Sequence, residues 1–272
     1  MQGSAGSDLP EPDETGLVPM GDHEVEFVRF AGGANLPTLV FLHEGLGSVA
    51  MWRDFPARVA AATNAPAVVY SRRGYGRSSP RAAAYDVDYM HLEARETLPH
   101  LLEHWGVERP ILIGHSDGAS IALIHAAEHP ANVSGVAVMA PHVFVEDICI
   151  HAIKETRGAF ATTDLESRLG RYHADAGHAF RGWNDIWLKP AFRDWNIEAM
   201  LPAITRPVLA IQGLGDPYGT MAQLDRIERA VQGPFRRLEL PDCGHSPHRD
   251  KPAETLAALV EFCDRTANIG RA

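Results

Sequence analysis

Three short stretches of the chain hold side chains that could act on one another: Ser116 within Gly114-His-Ser-Asp-Gly118, Asp216 within Gly215-Asp-Pro217, and His245 directly after Gly244. A serine hydroxyl is a poor nucleophile at its own pKa. It becomes a good one when an imidazole takes its proton and a carboxylate holds that imidazole in the right tautomer. Along the chain the order is nucleophile, acid, base. Each residue also has a plain structural use, since a serine before a helix caps it, Asp-Pro starts turns, and Gly-His is ordinary loop chemistry. The chemical reading gains weight only if all three sit on loops at the same edge of one sheet.

The elements around them predict that arrangement. Before Ser116 runs Ile111-Leu-Ile, too short for anything but a buried strand, and after it an apolar run continues to Glu128 without a breaker until Pro130, long enough for a helix. Ser116 therefore sits on a strand-to-helix corner, with Gly114 and Gly118 permitting a tight turn and close helix-strand packing. Thr38 to Leu42 reads as a central strand and Glu24 to Phe30, which alternates polar and apolar residues, as a half-buried edge strand. Further strands are expected at Ala67–Tyr70, Val133–Ala140, Arg206–Gly213 and Arg237–Leu240, with helices near Val49–Ala62 and Asp88–Trp105. The second helix is expected to kink at Pro99 and to pack through Leu92, Leu98, Leu101, Leu102 and Trp105. Strands separated by helices imply an α/β fold with a mostly parallel, doubly wound sheet. Asp216 and His245 then each follow a strand of that sheet, as Ser116 does.

Two loops carry further signals. His43-Glu-Gly-Leu-Gly-Ser48 follows the central strand and could aim backbone N–H groups at a ligand; with Ala50 in place of a third glycine it is no dinucleotide fingerprint. Arg72-Arg-Gly-Tyr-Gly-Arg-Ser78 reads as a turn with solvated arginines.

The composition of the 272 residues, 45% hydrophobic and 22% charged, suits one globular domain carrying an insertion. The expected organisation is a flexible tail at 1–15, a core at 16–141 and 201–272, and a helical cap insertion at 142–200. A formal net charge of −10 disfavours nucleic acid and anionic membranes as partners. With no visible secretory start and three scattered cysteines, the expected location is cytoplasmic. The insertion loses the strand-helix alternation and gathers eight aromatics: Phe144, Phe160, Tyr172, Phe180, Trp183, Trp187, Phe192 and Trp195. Most are expected to form its own core and a minority, with Trp183 and Trp187 as candidates, to face a substrate. His142, His151, His173 and His178 are expected at the surface or as caps, and no metal site is expected.

Taken together, the His43-Glu-Gly-Leu-Gly loop, Arg73-Gly-Tyr-Gly-Arg-Ser78, Gly114-His-Ser-Asp-Gly118, Gly215-Asp-Pro217 and Gly244-His245 resemble the α/β-hydrolase fold family, in its capped, esterase-like group. The Ser-Asp-Gly at the corner and the Trp-rich insertion are similar, more loosely, to the biphenyl-hydrolase-like valacyclovir hydrolases. The chain departs from the family at Glu44 in place of a glycine, at Ser71 in place of an aspartate, and at Ala119 in place of a second glycine. The resemblance implies a serine hydrolase acting through an acyl-enzyme, with Ser116, Asp216 and His245 as its triad. The backbone N–H groups of Asp117 and of Gly45 or Leu46 are then the oxyanion donors, and no cofactor is called for. A small-molecule substrate, apolar or aromatic, is the expected partner, and a homo-oligomer is compatible with it. Lactone hydrolysis, perhydrolysis, carbon–carbon hydrolysis of ring-cleavage products and ligand sensing stay open. With serine at the nucleophile position, the alkyl-enzyme chemistry of epoxide hydrolases is not expected.

Two acids stand near that site. Asp117, in the first helical turn, suits the helix N–H groups and dipole, and Glu44 suits bonding to loop amides. Alternatively one carboxylate reaches the pocket and pairs with a cationic substrate group, which the resemblance implies for Asp117.

Overall fold

The computed structural model describes residues 9–269, so most of the stretch read as a tail lies outside the described residues. Eight strands form one sheet in the order β1-β2-β4-β3-β5-β6-β7-β8. They are β1 (Glu14–Pro19), β2 (Glu24–Phe30), β3 (Leu39–Leu42), β4 (Ala67–Tyr70), β5 (Ile111–His115), β6 (Gly135–Met139), β7 (Val208–Gly213) and β8 (Phe235–Leu240). From β4 through β8 all neighbours are parallel, while β1 and β2 add an antiparallel edge. The helices are α1 (Phe55–Thr63), α2 (Tyr89–Leu92), α3 (Leu98–His104), α4 (Asp117–Glu128), α5 (Asp147–Thr162), α6 (Leu165–Leu169), α7 (Ala176–Trp187), α8 (Ala222–Ala230), α9 (Pro247–Asp250) and α10 (Pro252–Ile269).

The continuous apolar runs of the parallel strands follow from burial on both faces. Val40, Leu42, Val68, Leu112, Val136 and Val138 point into one core layer; Leu39, Phe41, Val69, Ile111, Ile113 and Met139 point into the other. Period-2 alternation serves both layers at once. Helix α4 packs between the sheet and the α2–α3 region, so its sequence is apolar nearly all round. Truncating Leu123 or Ile124 there, each 0% exposed, would leave a cavity costing about 2–5 kcal/mol.

The structure corrects several expectations. Glu14 and Thr15, read as tail, already belong to β1, which pairs along β2 from Glu14–Arg29 to Pro19–Glu24. That pairing makes β2 an interior strand rather than an edge. The helix expected over 88–105 is interrupted by a π turn at Glu93–Thr97, immediately before α3 and its Pro99, and Leu92 is 43% exposed instead of packing on the sheet. Arg72 is buried, not solvated. Ser71, where the family often has an aspartate, borrows a carboxylate from the neighbouring strand: its hydroxyl donates to Glu26 Oε2 at 2.7 Å, and that oxygen also accepts the Arg77 N–H at 2.9 Å.

Candidate active site

Ser116 joins β5 to α4 with φ 53° and ψ −117°, a conformation that costs a non-glycine residue about 1–3 kcal/mol. Hydrogen bonds hold it there. Its N–H donates to Met139 O at 2.9 Å, and its carbonyl accepts from the N–H groups of Ala119 at 2.9 Å and Ser120 at 3.1 Å. The corner is also sterically closed: a Cβ at Gly114 would lie 2.3 Å from Gly118 O, and one at Gly118 would lie 2.0 Å from Leu42 O. The strain keeps the hydroxyl at the carboxyl edge of the sheet, where the loops after β3, β6, β7 and β8 converge.

His245, on the loop after β8, reaches Ser116 Oγ through Nε2 at 2.9 Å. Its Nδ1 faces Asp216, 2.8 Å from Oδ2 and 2.9 Å from Oδ1. A proton on Nδ1 directed at the carboxylate leaves Nε2 as an acceptor for the serine proton, and the network assigns that tautomer. Asp216 is itself held by Gln212 Nε2 at 2.7 Å and by the Tyr218 N–H at 2.8 Å. Burial would raise its carboxyl, but the His245 imidazole and the Tyr218 N–H outweigh that and keep it below the ordinary value. Gln212 has no place in the sequence reading, yet a lone amide in the otherwise apolar strand Val208–Gly213 was a legible signal.

Of the two histidines in this loop, only His245 bonds Ser116. His248 is buried against Trp52 and His115, and neither of its ring nitrogens has a hydrogen-bond partner among the described residues. His142, expected at the surface or as a cap, is buried beside His245, its pKa pushed down to about 3 by burial and by that neighbour. His173, also expected outside, links two loops: Nδ1 accepts the Gly76 N–H at 3.0 Å and Nε2 donates to Leu46 O at 2.9 Å.

A cavity of about 210 Å³ opens over the serine. Its floor is Glu44, Gly45, Leu46, Ser116 and His245; Cys149, Ile153, Trp183 and Trp187 come from α5 and α7, and Tyr218 from the loop after β7. A larger groove of about 510 Å³ lies between Pro99 and Asn132 but contains no nucleophile paired to a base, so chemistry rather than size marks the site. Among the described residues no group of three or more His, Cys, Asp or Glu could hold a metal ion.

Of the two acids, Asp117 takes neither of the places expected for it, while Glu44 takes the alternative one, at the cavity. The Asp117 carboxylate is buried and occupied: it accepts from Tyr89 OH at 2.6 Å and Trp187 Nε1 at 3.2 Å, with Arg72 Nη2 at 3.7 Å. It neither lines the cavity nor bonds the helix amides, and burial raises its pKa against the pull of Arg72. Its N–H, at the first position of α4, has no intrahelical acceptor. Glu44 does line the cavity, between His115 Nδ1 at 3.4 Å and Arg249 Nη2 at 3.5 Å. Burial would raise its pKa, but these neighbours hold it well below the ordinary value, so it is ionised. His115, the residue before the nucleophile, also donates from Nε2 to His245 O at 2.7 Å and fixes that loop.

The alpha/beta hydrolase family model matches residues 39–259. The chain is 25% identical over 262 residues to the 2-succinyl-6-hydroxy-2,4-cyclohexadiene-1-carboxylate synthase of Enterobacter sp. (strain 638), covering 85% of this chain and 93% of that protein. It is 26% identical over 187 residues to the serine hydrolase BPHL of Homo sapiens, covering 66% of this chain and 63% of that one. Among solved structures, the enol-lactonase from Burkholderia xenovorans LB400 superposes with a TM-score of 0.73 at 19% identity, over 92% of this chain and 100% of that one.

Proposed function

Because this chain belongs to the alpha/beta hydrolase family, we propose that it is a serine hydrolase that cleaves esters of small apolar or aromatic substrates without a carboxylate, through an acyl-enzyme. The observation that carries this reading is the continuous relay from Asp216 through His245 to Ser116, 2.8 Å and 2.9 Å long. His245 Nε2 takes the hydroxyl proton as Oγ attacks the ester carbonyl, and the imidazolium is balanced by Asp216. The carbonyl oxygen becomes an oxyanion received by the N–H of Asp117 and by the loop after β3. Collapse breaks the ester bond, with the His245 proton going to the leaving alcohol. Water, deprotonated by the same imidazole, then releases the acid and restores Ser116.

Cavity size and charge narrow the substrate. At about 210 Å³ it is smaller than the roughly 300–1,000 Å³ of drug-sized ligand sites, which favours a short acyl or leaving group. No Lys or Arg lines it, and the ionised Glu44 does. A carboxylate substrate, of the kind named for the synthase relative, would meet repulsion there without a cation to receive it. The test is turnover on a panel of aryl and alkyl esters with Ser116→Ala as the control. Saturable multiple turnover lost in that variant supports the reading; a single slow acylation without turnover would favour ligand sensing on the same residues.

A further inference from the structure

The loop after β3 offers two N–H groups, Gly45 and Leu46, and the buried arginine beside it distinguishes them. Arg72 is 2% exposed. Its Nη1 donates to His43 O and its Nη2 to Glu44 O at 3.0 Å, while its own backbone N–H donates to His43 Nε2 at 3.0 Å. Because that nitrogen accepts, His43 carries its proton on Nδ1, which donates to the same Glu44 O at 2.7 Å. A third donor, the Gly47 N–H, reaches that oxygen at 3.0 Å.

Three donors on one carbonyl fix its peptide plane. In a trans peptide the C=O and the following N–H point in opposite directions, so Glu44 O held inward toward Arg72 turns the Gly45 N–H outward, to the cavity Gly45 lines. None of the hydrogen bonds among the described residues uses the N–H of Gly45 or of Leu46, so the anchored orientation of the Glu44–Gly45 peptide is what separates the two. A charge-assisted donor also polarises the peptide it binds, making the N–H on its far side a stronger donor. The same guanidinium faces the Asp117 carboxylate at 3.7 Å, so one side chain references both the loop and the start of α4.

We propose that Arg72 is a positioning residue for the oxyanion, anchoring the Glu44–Gly45 peptide so that the Gly45 N–H is the loop's donor. The proposal rests on the acyl-enzyme reading. Arg72 touches no substrate atom; it acts through the peptide. Arg72→Lys keeps the charge but cannot span both carbonyls. It should lower kcat by about 10- to 100-fold, part of the 10²–10³ lost when an oxyanion donor is removed, with KM little changed.

The discriminating readout is the ratio of rates on an ester and its thionoester, whose sulfur accepts hydrogen bonds weakly and sits farther from the carbon. In the native protein the ester is strongly preferred, and in Arg72→Lys the ratio falls. A kcat loss equal for both substrates would mean a general structural role and would overturn the proposal. Independently of any variant, selective ¹⁵N-glycine labelling of the native protein follows the Gly45 amide as a trifluoromethyl ketone adds to Ser116. A downfield amide proton supports the assignment, and an unmoved one overturns it even if Arg72→Lys does not fold. Native protein without ester turnover or ketone adduct would instead defeat the acyl-enzyme reading, a result distinct from either.

Discussion

The sheet and the helical stretch from α5 to α7 face the same cavity from opposite sides, and they are built on different rules. In the sheet the inner parallel strands β3 to β7 are almost wholly apolar on both faces, and polar groups gather at the strand ends, where Ser116, Asp216 and His245 meet. Helix α7 is one-sided: Ala176, Ala179, Phe180, Trp183, Ile186 and Trp187 recur at helical spacing and are buried, while Arg181 and Asp185 are exposed. The sheet side carries the Ser116–His245–Asp216 relay, and the helical side supplies Cys149, Ile153, Trp183 and Trp187 to the cavity above it. Between the two lies a buried polar joint, in which Trp187 of α7 donates to Asp117 of α4 while Tyr89 and Arg72 close the cluster. A carboxylate whose sequence position suggested a helix-start or substrate-pairing role is therefore a fastener between the halves.

The largest effects belong to the sheet side. Ser116→Ala and His245→Ala should each lower ester kcat by roughly 10⁴-fold or more, and Asp216→Asn by a comparable factor, because the three act as one unit. His248→Ala should leave turnover nearly intact, since that ring is packed among Trp52, Phe55 and His115 and its nitrogens have no hydrogen-bond partner among the described residues. Inactive His248→Ala with active His245→Ala in steady-state assays would reverse the assignment.

Breaking the joint tests the other half of the contrast. Asp117→Ala removes the acceptor of Tyr89 and Trp187 and strands the Arg72 charge in the interior. Loss of one partner of a buried pair costs about 3–5 kcal/mol, which corresponds to a fall in Tm of roughly 10 °C for a chain of this length. The expected result in differential scanning calorimetry is that loss, with Ser116 still labelled by a fluorophosphonate. A variant with native Tm would remove the fastener role.

The two halves also differed in how much their sequence disclosed. Runs such as Ala67-Val-Val-Tyr70 leave no alternative to a buried strand, and the order Ser116, Asp216, His245 on three strand ends is readable from turn residues alone. Strand β1 was missed because Thr-Gly-Leu-Val-Pro is weakly patterned and adjoins an acidic stretch rich in Gly and Pro; its partner β2 alone makes it a strand. Side-chain direction was invisible: nothing in Gly-His-Ser-Asp-Gly tells that the Asp117 carboxylate turns inward, since Tyr89 and Trp187 come from 28 and 70 residues away. The buried state of Arg72 was hidden likewise, as its partners are backbone carbonyls of a distant loop.

Acid should loosen the structure before it titrates most carboxylates. His43, His142 and His248 are buried with pKa values pushed down, chiefly by burial. Their stability contribution is complete above the unfolded value near 6.5 and is lost as pH falls toward the folded values, because only the unfolded chain then binds the protons. Between pH 7.5 and 5.5 each costs about 1.4 kcal/mol. Urea midpoints at the two pH values should diverge accordingly, and His142→Gln should narrow the difference by about one such increment, roughly 1.4 kcal/mol. Glu44 and Asp216, both depressed, add loss of the same sign below their ordinary values, whereas Asp117, raised by burial, opposes them weakly.

The smallest effect separates the two acids themselves. Glu44 lines the cavity as an ionised group with about 15% of its side chain exposed, and Asp117 does not line it. A unit charge about 5 Å away, at an effective dielectric near 20 and partly screened by solvent, is worth roughly 1–2 kcal/mol, or about tenfold in kcat/KM. Native protein should therefore hydrolyse a neutral ester about ten times better than the same ester carrying a carboxylate in its acyl chain, and should accept an ammonium analogue at least as well as the neutral one. Glu44→Gln, which keeps shape and a hydrogen-bonding oxygen toward His115, should narrow that span without lowering turnover of the neutral ester by more than a few fold. Asp117→Asn should leave the span unchanged while losing stability. If the span closes in Asp117→Asn instead, the buried carboxylate is the one substrates feel, and the division between a fastening acid and a facing acid fails.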